Sequence, residues 1–220
     1  MCFSANVSFG TAAVLTVTGI VAISKAKTGP QRTLAAIPFI FAVQQFSEGI
    51  NWLALKDADL ANVQPLFTYL FLLSAWVLWP VYIPFTVWML EQEARRKRIL
   101  YRVLFIGIAV SLCMLALIIV YPVTIVPIRH HLFYRFALTP TIKTIVWLCG
   151  IPYFIAAVAS PFASTTQRLK WLGVIFLVSY IFGMIFYRDV IVSIWCYFAA
   201  LLSVVIIWII QGLNKPATGN

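Results

Sequence analysis

Glu48 is the residue whose type and place say most about chemistry. It is an acid well inside an apolar run, seven residues from the run's outer end at Leu55, or roughly 10 Å along a helix. An ionised carboxylate at that depth must face a cavity, a partner or another helix, or else be protonated. Gln44, Gln45, Glu48 and Trp52 recur at helical spacing and form one polar and aromatic stripe. Such a stripe can hold a substrate, or it can bind helices together by hydrogen bonds. Cys2 would stand beside a free amine once Met1 is removed. That pair is a nucleophile or a two-atom metal clamp, or an inert end of the chain. His130 and His131 are the only two histidines. Either could be a general base for a thiol or a metal ligand. With Arg129, Tyr134 and Arg135 they could also be an interfacial loop. The candidate catalytic set is therefore Cys2, His131, His130 and Glu48. Gln44, Gln45, Trp52 and Arg188 are the candidate substrate contacts. No metal or cofactor is specified. A zinc site with two histidines would need Cys or Glu to complete it.

The elements that must position these residues are apolar runs. Seven can be read, at about 8–24, 33–55, 63–90, 99–121, 142–159, 171–187 and 190–210. Each is near the length that crosses a roughly 30 Å hydrocarbon layer. The bilayer core offers the backbone no water, so each run should be a helix. The third is long and contains Trp79-Pro80 and Pro84, which predicts a tilt or kink. The first run lacks a basic flank and is expected to stay as a span. Placing the N-terminus outside gives eleven basic residues to the cytoplasmic side and five to the other. That asymmetry favours N-out and C-in. The reading is an all-α polytopic bundle of seven transmembrane helices over residues 1–211, with a short polar cytoplasmic tail at 212–220. The longest loop, 122–141, carries three prolines and should lie outside. Arg188-Asp189 makes a tight outer turn whose charges suit helix ends. In this arrangement Cys2, Glu48, His130, His131, Arg188 and Asp189 all fall in the outer half.

Composition excludes several classes. The chain has 220 residues, 63% hydrophobic and 10% charged, far from a soluble domain. Its formal charge of +10 would suit nucleic acid in a soluble protein. Here the cations fill short gaps between runs, so no nucleic-acid partner is expected. Arg95, Arg96, Lys97 and Arg98 set topology and meet anionic lipid. Cys113, Cys149 and Cys196 lie in apolar runs and read as small hydrophobes. Asn6-Val7-Ser8 is a weak glycosylation match. There is no HExxH, P-loop or GxSxG motif. No lysine sits in the seventh run for a retinal Schiff base, and two adjacent loop histidines cannot form transmembrane haem pairs.

The opening Met1-Cys2-Phe3-Ser4-Ala5, then Ser8-Phe9-Gly10, and later Ile37-Pro38, Gln44-Gln45, Glu48-Gly49 and Trp52-Leu53 carry a resemblance. Trp79-Pro80 with Pro84, and His130-His131, extend it. The chain resembles an uncharacterised family of small multi-span membrane proteins that begin Met-Cys-Phe-Ser, mainly bacterial with relatives in large viruses. The resemblance implies no activity, but it makes an incidental Cys2 less expected and implies a bacterial inner membrane. The residues lead to an outward-facing intramembrane polar pocket, expected to be an enzyme site for a lipid-like or small acyl substrate. Membrane lipids are the expected surroundings. A proton or small-solute transporter gated by Glu48 is the alternative, and a receptor or structural subunit the third.

Overall fold

The computed structural model describes residues 4–128, 131–186 and 191–214. Cys2, His130, Arg188 and Asp189 lie outside the described residues. The helices are α1 (Ala5–Lys25), α2 (Gly29–Ala35) and α3 (Ile37–Ala54). They continue with α4 (Gln64–Leu90), α5 (Ala94–Val120), α6 (Pro140–Ala163), α7 (Gln167–Phe186) and α8 (Ile191–Leu213). Five of them, α1, α4, α5, α6 and α7, are long and apolar enough to cross a membrane. The outer surface is consistent with that. Ile119 is 74% exposed, Ile185 68% and Trp147 67%, which water would penalise and lipid would not.

Local sequence sets the boundaries. Ser4 caps α1 by accepting the Val7 N–H at 3.5 Å. Thr28 and Gln31 form a capping box at α2, with Pro30 pre-set in its first turn. The second apolar run is thus two helices separated at Ala36, where Ile37-Pro38 restarts the chain. α8 carries the chain through Leu213, and the Asn214 amide donates to the Lys25 carbonyl at 2.8 Å.

The expectation of an all-helical chain needs one correction. Part of the long loop forms an antiparallel hairpin of β1 (Val123–Ile128) and β2 (His131–Phe136). Val123 pairs with Phe136 and Ile128 with His131. The β-branched and aromatic residues of both segments outweigh the prolines that suggested an irregular loop. β2 buries His131, Leu132 and Tyr134 and exposes Arg135.

The kink predicted in the third run takes the form of a π-helical segment, Leu73–Leu78, directly before Trp79-Pro80. Pro80 has no N–H to return to the preceding turn, so carbonyls there need other donors. Tyr153 of α6 donates to the Ala75 carbonyl at 2.6 Å, and Ser111 of α5 to the Val77 carbonyl at 2.6 Å. Gly107, one turn before Ser111, lets α5 lie against the Pro80 carbonyl. α6 has a second π segment, Ile155–Ala159, just after Pro152.

At the far end from the hairpin, one carboxylate joins two connections. Glu91 is fully buried between α4 and α5. It accepts from the N–H groups of Gln92, Glu93 and Thr165 at 3.0, 2.9 and 2.7 Å. The Ser164 and Thr165 hydroxyls add bonds of 3.0 and 2.7 Å. Arg96 bonds the Ala163 carbonyl at 3.1 Å beside it. The turn after α6 is thereby clasped to the turn after α4.

Candidate functional site

α3 buries its polar face and exposes part of its apolar one. Gln44, Gln45, Ser47, Glu48, Asn51 and Trp52 are buried, while Val43 and Phe46 are 51% and 46% exposed. Polar groups turned inward find hydrogen-bond partners in the bundle. The predicted stripe is therefore present, and it is wider than its sequence spacing suggested. It divides into two arms with different partners.

In the first arm the Trp79 indole N–H donates to Gln44 Oε1 at 3.1 Å. Trp79 also stacks on Phe41, with ring centroids 4.2 Å apart. Gln44, Phe41 and Trp79 form part of the wall of a cavity of about 280 Å³. The rest of the wall comes from α4, α5, α6 and α7 and is largely aromatic or aliphatic. No side chain of Pro140–Phe154, the first part of α6, is buried. Among the described residues that stretch packs chiefly on α5. The cavity thus has a weakly closed side between α6 and α7, toward where lipid would lie.

In the second arm Gln45 donates to Glu48 Oε2 at 3.4 Å. One turn on, the Asn51 amide N–H donates to the Tyr134 hydroxyl at 3.5 Å, and the Thr68 hydroxyl donates to Asn51 Oδ1 at 3.2 Å. Asn51 thus joins α3 to the hairpin and to α4. Trp52, Phe71, Leu72, Ile118, Leu132 and Tyr134 belong to one buried cluster around this junction. Tyr134 stacks on Phe71 at 4.6 Å. Phe9 of α1 closes the other side, its ring against the face of Gly49. Gln44, Gln45, Glu48, Trp52, His131 and Tyr134 each make further interactions as well.

Of the sequence candidates, Gln44, Gln45, Glu48 and Trp52 share the buried face of α3. His131 is buried at the start of β2, three residues before Tyr134 and so on the opposite face of the strand from the side chain that bonds Asn51. The placements of Cys2, His130 and Arg188 fall outside the described residues. The sequence reading missed Asn51, Thr68 and Tyr134. Asn51 lies three residues after Glu48 and was legible as a continuation of the stripe. Thr68 and Tyr134 carry no signal until the helices and hairpin are assembled. Among the described residues no cluster of three metal-ligating His, Cys, Asp or Glu side chains occurs.

Asn51→Ala should lower stability by about 2 kcal/mol, because two buried hydrogen-bonding groups lose their shared partner. Thermal melts in detergent check the cost. Limited proteolysis should also cut the variant faster between β1 and β2. Unchanged cleavage would mean that Asn51 does not hold the hairpin.

Beyond the geometry, one sequence comparison is informative. The profile of a family of unknown function, DUF6629, matches residues 1–219. The chain belongs to the DUF6629 family. This fits the expectation of an uncharacterised family. No curated protein and no solved structure matches the chain.

Proposed function

We propose that this DUF6629 protein is a seven-span protein of a bacterial inner membrane that binds a lipid-like or small acyl compound in an intramembrane pocket. Its N-terminus would lie outside and its C-terminus inside. α3 and α8 supply two crossings beyond the five long apolar helices. The eleven-to-five partition of basic residues supports the orientation.

The observation that carries the reading is the double role of α3. Through Gln44 it lines an apolar cavity of about 280 Å³. On the same face it buries Gln45 and Glu48. A mostly apolar hollow is the usual form of a small-molecule site; Gln44 is the polar side chain that α3 gives to its wall, and Gln45 and Glu48 are buried on α3 beside it, off that wall. The thinly packed side between α6 and α7 gives a lipid-like compound a route from the bilayer. In the enzyme form of the proposal, Cys2 is nucleophile or ligand and His131 or His130 is base or ligand. Glu48 orients them or moves a proton. Gln44, Gln45, Trp52 and Arg188 contact the substrate.

Gly150 provides the test, because it lines the cavity and a Cβ there meets nothing within 4 Å. A phenylalanine at 150 can fill the hollow without disturbing the backbone. The full chain in lipid nanodiscs would be exposed to a diazirine-bearing palmitate, photolysed and mapped by peptide mass spectrometry. Labels are expected on cavity residues of α4, α6 and α7. Gly150→Phe should reduce them about tenfold with an unchanged melting temperature. Labelling confined to the outer surface and indifferent to Gly150→Phe would overturn the pocket. Proton flux in liposomes that vanishes in Glu48→Gln but survives Gly150→Phe would replace it with the transport reading.

A further inference from the structure

We infer that the cavity takes a membrane quinone, and that Cys113 and Cys149 are a dithiol that passes two electrons and two protons to it. The inference rests on the pocket reading above and names the class of its ligand. Four observations converge on it. The Sγ atoms of Cys113 on α5 and Cys149 on α6 are 3.6 Å apart, in contact without a bond. Both cysteines are free, and Cys149 forms part of the cavity wall. That wall presents the rings of Phe41, Trp76, Trp79, Phe176 and Tyr180, faces on which a flat conjugated ring can lie. The side between α6 and α7 leaves room for an isoprenoid tail to remain in the bilayer.

The exchange suits this environment. Two S–H bonds break and one S–S bond forms between Cys113 and Cys149. The two electrons and two protons reduce the quinone's carbonyl oxygens to the two hydroxyls of a quinol. Dithiol and quinone are neutral, and so are disulfide and quinol, so the net reaction leaves no charge in an apolar site. No Asp, Glu, Lys, Arg or His lines the cavity among the described residues, and none is needed to balance a net charge. Quinones lie above protein dithiols in potential, so electrons flow in the stated direction. Bonding requires the sulfurs to close from 3.6 Å to roughly 2.05 Å. Packing alone explains a buried cysteine. It does not call for two thiols from different helices to meet beside a ring-lined hollow.

The full chain in nanodiscs, reduced and desalted without air, would be mixed with decylubiquinone. Loss of quinone absorbance and a non-reducing peptide map are read together. The expected result is roughly one quinol per chain with a Cys113–Cys149 linkage. Cys113→Ser and Cys149→Ser should each slow quinol formation at least about tenfold. Cys113→Ser, whose side chain is not part of the cavity wall, should retain palmitate photolabelling at the cavity, which shows that the pocket is intact. No linkage, or equal quinol formation in the double serine variant, would overturn the inference. If photolabelling of wild type also fails, the pocket reading falls with it. If photolabelling succeeds and the thiols stay reduced, the redox inference alone falls.

Discussion

Gly107→Ala is expected to destabilise the bundle by about 3 kcal/mol, as overpacking of a rigid contact does. A Cβ at 107 would overlap the Pro80 carbonyl oxygen, and it would also meet Ala156 Cβ at 3.4 Å. The obstacle is backbone on a neighbouring helix, so no side-chain rotation relieves it. α5 would have to withdraw from α4 along the face where Ser111 bonds the Val77 carbonyl. Close approach over a Gly-xxx-Ser pair is how membrane helices gain packing without a hydrophobic drive between them. Gly10→Ala is the control, since a Cβ there meets nothing within 4 Å. It should be neutral or gain about 0.5–1 kcal/mol from helix propensity. Equal unfolding midpoints for the two variants in detergent would refute the close-packing account.

Glu91→Gln should cost about 3–5 kcal/mol, the range for breaking a buried charged network. Burial alone would raise the Glu91 pKa. The Thr165 hydroxyl, the Glu93 and Thr165 N–H groups and the Ser164 hydroxyl outweigh it, lowering the value from 4.5 to about 2. A glutamine would turn an NH2 group toward N–H donors that now find oxygen. The folded carboxyl binds its proton less tightly than the unfolded one. Its stabilisation is therefore complete above about pH 4.5 and lost as pH falls through about 2. The gap corresponds to about 3 kcal/mol. Melting curves at pH 7, 5, 3.5 and 2.5 should show wild type losing its advantage over Glu91→Gln across that window. A constant difference down to pH 2.5 would mean the carboxylate charge contributes nothing.

Helix positions were legible because a long apolar run has to satisfy its own backbone hydrogen bonds, and a helix does so within one segment. The edges of α1, α4 and α7 lie within a few residues of their runs. The break at Ala36 was hidden because residues 33–55 stay apolar across it. It is set by the Ile37-Pro38 restart, which a hydropathy average does not see. The hairpin was missed for a different reason. Pro122, Pro127 and Pro140 argue for irregular chain, while strand pairing depends on a partner segment that only the fold supplies. Glu48 stood out because an acid inside an apolar run has few explanations. Glu91 did not, since an acid beside Gln92 and Glu93 looks like any polar turn. Only its five donors, drawn from two separate turns, distinguish it. Cys113 and Cys149 lie 36 positions apart, and nothing local marks them as neighbours.

The clasp at Glu91 also constrains motion. It pins the α4–α5 and α6–α7 turns to each other at one rim of the bundle, with bonds too short and numerous to slide. The hairpin is held differently, through a neutral contact between Asn51 and the Tyr134 hydroxyl. One set of connections is thus fastened by a charge with five donors, and the other by a single amide.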